Sequence, residues 1–95
     1  MVNKMAYTIR YSTIYSDSLQ VDRNKTLKFN LESDMYADGC VINVREFIES
    51  MKDTGPTKNG LFYHLNSIEE LNEIQQKFNE LFNEARKQLE FEENN

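Results

Sequence analysis

Little in this chain suits covalent chemistry. Cysteine occurs once, at Cys40, so no internal disulfide can form and no Cys-x-x-Cys pair can hold zinc. Histidine also occurs once, at His64, inside an apolar run and without an evident base or nucleophile beside it; a structural role is the expectation. The sequence contains no phosphate-binding glycine loop, no nucleophile elbow and no HExxH pair. The expected protein is therefore not an enzyme and needs no metal or cofactor. No run approaches the ~18 apolar residues of a membrane span. The opening Met1-Val2-Asn3-Lys4-Met5 lacks a secretory apolar core. Both point to a cytoplasmic protein with no membrane partner.

The chain has 95 residues, the size of one domain. A domain this small buries only roughly 60–65% of the surface that its unfolded chain exposes, so association with a second copy would help its stability. The net charge is −5. Its distribution is uneven: the first sixty residues balance, with eight Lys/Arg against eight Asp/Glu, and residues 61–95 carry three basic and eight acidic side chains. An acidic final third leaves room for a cationic patch elsewhere.

Residues 6–15 are rich in β-branched and aromatic types and read as a strand, with Ser16-Asp17-Ser18 as its break. A second strand runs near Lys25–Leu31. There Leu27, Phe29 and Leu31 alternate with Thr26, Lys28 and Asn30, the period of a half-buried strand. Asp38-Gly39 is a hairpin signal, because both residue types tolerate positive φ. The third strand, Cys40–Ile48, sets Ile42, Val44 and Glu46 on one side and Val41, Asn43, Arg45 and Phe47 on the other. Glu49–Asn59, with Gly55-Pro56, reads as a loop, and Leu61–Leu65 as a fourth strand. Ser67-Ile68-Glu69-Glu70 forms a capping box. It opens a helix predicted from about Ile68 to near Leu89, whose apolar positions Leu71, Ile74, Phe78, Leu81, Phe82 and Ala85 recur at helical spacing. The stripe is generous for a helix that only covers its own sheet, so these residues are the expected homodimer interface. The tail, residues 90–95, is acidic and expected to fray.

The expected fold is α+β: a four-stranded antiparallel curved sheet, five-stranded if the N-terminal strand adds to it, then one long C-terminal helix. Residues 1–19 form an N-terminal strand extension and residues 20–89 the ββββα domain. Tyr7, Tyr11 and Tyr15 are further candidates for stacking on bases, but ordinary packing under the extra N-terminal strand is the favoured expectation for them.

Val41-Ile42-Asn43-Val44-Arg45-Glu46-Phe47, followed by Pro56-Thr57-Lys58-Asn59-Gly60-Leu61, resembles the positive cofactor four family of transcriptional coactivators, which has bacterial and phage members. Val21-Asp22-Arg23-Asn24-Lys25-Thr26-Leu27-Lys28-Phe29 looks like that family's first core strand. The resemblance covers about residues 20–88. It implies a dimer that binds single-stranded DNA, or RNA, with little sequence preference, in replication, recombination or transcription. Carried over by position, Arg45, Phe47, Lys58, Arg23 and Lys25 match nucleic-acid-binding positions. The sequence departs from the family at Ile48, where tryptophan is frequent, and at Asn59, where a second basic residue is usual.

The residues support the same site independently. Cations meet phosphates, and exposed rings stack on unpaired bases. Arg45 and Phe47 stand two apart on one strand, Lys28 lies on the outward side of its neighbour, and Tyr36 on the hairpin adds a candidate ring. The competing assignment for Arg45 is an ion pair with Glu46, Glu49 or Asp53. The competing function is an acidic protein-interaction or inhibitor module on the same fold, with a protein partner at its acidic surface.

Overall fold

A computed structural model describes residues 10–49 and 54–94. The element order is β1 (Tyr11–Asp22), β2 (Lys25–Asp34), β3 (Cys40–Glu49), β4 (Thr54–Leu65) and α1 (Ile68–Glu93). The strands form one antiparallel sheet in the order β1-β2-β3-β4. The chain divides into two compact units, Met1–Leu65 and Asn66–Asn95.

The ββββα order stands as expected, and the N-terminal strand is itself one of the four. β1 runs past Ser16-Asp17-Ser18 as far as Asp22. An edge strand tolerates polar residues because its ladder to β2 carries it; Ser16 also donates a hydrogen bond to Asn30 Oδ1 at 2.6 Å. The chain turns instead at Arg23-Asn24, where Asp22 Oδ1 accepts from the Arg23 N–H at 2.6 Å. This turn interrupts the segment Val21–Phe29, which is the end of one strand and the start of the next. Residues 6–9 of the expected first strand, Tyr7 included, lie outside the described residues.

The segment expected as a loop, Glu49–Asn59, also departs. β4 begins at Thr54, and Thr54, Gly55 and Pro56 pair with Glu49, Ile48 and Phe47. Pro56 is tolerated because β4 is a sheet edge, where a missing N–H leaves no neighbour unsatisfied. The ladder breaks once, opposite Glu46: Arg45 faces Gly60 and Phe47 faces Pro56, so Thr57, Lys58 and Asn59 bulge outward together. Glu46 closes the bulge. Its Oε1 accepts from Thr57 Oγ1 and from Asn59 Nδ2, each at 2.9 Å. Those hydrogen bonds, helped by the charge of Lys25, hold its carboxyl below the usual glutamate value.

The β2–β3 turn follows the Asp38-Gly39 signal. Gly39 has φ +95°, and a side chain there would fall against the Leu65 carbonyl. At the start of this turn Asp34, with a side chain 2% exposed, takes a bidentate pair of hydrogen bonds from Arg10 at 3.0 and 3.1 Å and a third from the Tyr36 N–H at 2.9 Å. Chiefly the Arg10 bonds depress the Asp34 carboxyl, against the opposing effect of burial.

In the second unit Ser67 caps α1, accepting from the Glu70 N–H at 3.1 Å, while Glu70 Oε1 takes the Asn66 N–H at 2.8 Å. The helix continues to Glu93, so Glu90, Glu92 and Glu93 of the expected frayed tail belong to its last turns. At about 100° per residue, Leu71, Ile74, Phe78, Leu81, Phe82, Ala85 and Leu89 fall within an arc of roughly 100°. None of the helix residues is buried.

Candidate nucleic-acid interface

Register decides which side chains share a face, since directly paired residues point the same way. Lys28 pairs with Arg45, Thr26 with Phe47, and Asn30 with Asn43. Ser18 and Gln20 of β1 pair with Lys28 and Thr26, so they join the same face. The other face is largely apolar, with Leu27, Phe29, Leu31, Ile42, Val44, Leu61 and Tyr63.

On the polar face the Lys28 ammonium lies 4.3 Å from the centroid of the Phe47 ring, a cation–π contact that crosses from β2 to β3. Around these two is a concavity of about 370 Å³, lined also by Gln20, Arg23, Thr26 and Glu49. Arg45 is the next residue on this face. A side chain at Gly60 would fall against the Val44 carbonyl, so the backbone there calls for glycine, and the Arg45 guanidinium carbon lies 3.4 Å from the same spot across the ladder. Among the described residues no salt bridge joins Arg45 to Glu46 or Glu49; Glu46 points to the opposite face and is taken up by the bulge. Asp53 lies outside the described residues.

Four of the expected residues thus gather at one end of the sheet: Arg23, Lys28, Arg45 and Phe47. Lys58 stands close by, exposed at the apex of the bulge between two residues bound to Glu46. Lys25 does not join them. It pairs with Ile48, on the apolar face, where its charge acts on Glu46. Tyr36 lies at the other end, since Thr26 and Asp34 are eight residues apart on one strand, roughly 26 Å. Its ring is instead 5.6 Å from the Arg10 guanidinium, which also lies 5.1 Å from Tyr11.

Sequence reasoning missed an aromatic contact on this face. Tyr11 on β1 and Phe62 on β4 meet edge to face, with centroids 5.4 Å apart and planes at 80°. Two edge strands whose rings touch across the two strands between them make the face concave here. Val41, which lies on the same face between the two edges, is 1% exposed. Tyr11 was expected under an extra strand; only pairing of β1 with β2 in its observed register aims it at Phe62. Gln20 and Thr26 were also missed as lining residues; Thr26 alternates in step with Lys28 on β2, whereas Gln20 reaches this face only through the register of β1 on β2.

Among the described residues no cluster of His, Cys, Asp and Glu is arranged to hold a metal ion, and no helix is long and apolar enough to cross a membrane. Compared with protein-family models, curated proteins and solved structures, the chain finds no match.

Proposed function

We propose that this protein binds single-stranded DNA through the polar face of its sheet, with little sequence preference, and works as a homodimer paired through the apolar stripe of α1. The observation that carries the reading is the Lys28 ammonium over the Phe47 ring, with Arg45 beside it on the same face and without a salt-bridge partner among the described residues. An unpaired strand offers two handles, phosphate charge and base faces, and this pair of strands presents both counterparts side by side. The resemblance of the Arg45-Glu46-Phe47 strand and the Pro56–Leu61 segment to the positive cofactor four family points to the same ligand. Glu46 adds a physical rationale for that motif, because it holds the bulge that carries Lys58.

The dimer reading rests on α1. A stripe of Leu71, Ile74 and Phe78, half-buried, and Leu81, Phe82 and Ala85, exposed, with Phe78 and Phe82 stacked at 5.8 Å, has the three-and-four spacing of a two-helix seam. Replacing Leu81 with glutamate should shift sedimentation from dimer to monomer. A wild-type protein that sediments as a monomer at high concentration would refute the pairing.

The test of binding is fluorescence anisotropy with labelled oligothymidylate. Arg45→Ala and Phe47→Ala should each weaken binding about tenfold, the latter through ~1–3 kcal/mol of lost stacking. Wild-type affinity in both variants removes this face as the site. A second reading, an acidic protein-binding module, is favoured by the eight acidic side chains against three basic ones in residues 61–95. It gains if no oligonucleotide binds even at low salt.

A further inference from the structure

Beyond the Lys28–Phe47 end, the polar face carries a second aromatic group that no motif singled out. Phe62 pairs with Asn43 across the β3–β4 ladder, and Asn43 lies four residues from Phe47 on β3. The two rings are therefore on one face, roughly 13 Å apart along the strands. Arg45 stands between them, next to Gly60. Phe62 is 47% exposed. An edge-to-face pair covers at most one face of either ring; Arg10 lies over the Tyr11 ring, so Phe62 is the ring of the pair that has a face for a base.

We infer that Phe62, braced by Tyr11, is a second base-stacking station for the same strand that Phe47 engages, with Arg45 holding a phosphate between the two. The inference rests on the single-strand function proposed above and adds to it a path across the face. Charge assigns the two ends different tasks. Lys28, Arg23 and Arg45 lie at or beside the Phe47 end, which suits phosphates. Glu49 offsets one of these three charges and leaves the Phe47 end net positive. At the Phe62 end the face carries Glu32 and Asp34, and Arg10 there is already bound to Asp34, so among the described residues no cation is left to meet a phosphate. What approaches Phe62 is the base side of the strand. The separation is several times the ~3.4 Å rise between neighbours in a duplex strand. The two rings therefore take non-adjacent or unstacked bases, and a strand that stacks on both is unpaired because a duplex hides its base faces.

The chain contains no tryptophan, so Phe62→Trp introduces a single reporter. Oligothymidylate should quench its emission as a base stacks on the indole. A second variant, Phe62→Leu, keeps apolar bulk but removes the ring; it should stay folded, melting a few degrees lower for the lost contact with Tyr11, and bind the oligonucleotide roughly tenfold more weakly at a temperature where both proteins are folded. Unchanged emission at saturating oligothymidylate, or wild-type affinity in Phe62→Leu, overturns the second station while leaving the Phe47 site standing. Failure of the wild-type protein to bind any oligonucleotide overturns the proposed function itself, and the station with it.

Discussion

Lys28 has two possible partners in this site, and replacing it with glutamine separates them. In the free protein its ammonium lies 4.3 Å from the Phe47 ring centroid, a contact worth ~0.5–1 kcal/mol at an exposed position. When a strand binds, the same ammonium can move to a phosphate and free that face of the ring for a base. The phosphate contact depends on salt, with log K falling by ~0.7 per neutralised phosphate in a single strand. Raising sodium chloride tenfold, from about 50 to about 500 mM, therefore removes a factor of about five, or ~1 kcal/mol, from the contribution of Lys28. The cation–π contact competes with stacking, and its loss in Lys28→Gln works in the opposite direction. The ratio of variant to wild-type Kd should then be several-fold at low salt and shrink about fivefold over that range, reaching unity near the top. Anisotropy titrations of both proteins with one labelled oligothymidylate at four salt concentrations measure this ratio. A ratio that stays constant with salt would refute phosphate contact by Lys28, and equal affinities throughout would remove it from the site.

Two further outcomes concern the fold that presents the site. The Asp34 carboxyl is held below its ordinary value, so under acid the unfolded chain takes up a proton more readily than the folded one. Its stabilising contribution is complete above the ordinary aspartate value, fades as the pH falls through it, and is gone below the depressed value. Asp34→Asn should lower the thermal midpoint at neutral pH, and its difference from the wild type should shrink as the pH falls below the ordinary aspartate value; a difference that stays constant with pH would contradict this. Gly39→Ala places a side chain at φ +95° against the Leu65 carbonyl. The backbone term alone is about 1–2 kcal/mol, and Tm should drop by roughly 5 °C or more; an unchanged Tm would show that the turn relaxes freely.

How much of this was legible in the sequence depends on whether a residue's fate is set by its neighbours along the chain or by a partner strand. Alternation in Thr26–Leu31 and Val41–Phe47 determined which side chains share a face, because the pleat has period two whatever lies beside it. Asp38-Gly39 and Ser67–Glu70 marked their turn and cap, because positive φ and an unpaired helix N–H are local demands. The same local view misplaced β1 and β4. Ser16-Asp17-Ser18 and Thr54-Gly55-Pro56 have poor strand propensity, and only the ladders to β2 and β3 hold them extended. Lys25 was carried into the site by the family resemblance, and its parity on β2 sends it to the other face. The Tyr11–Phe62 contact joins residues 51 positions apart through the register of three ladders. Short-range pattern fixed the ingredients of the site, whereas strand pairing decided which of them meet, because hydrogen-bonded register is set by the whole sheet.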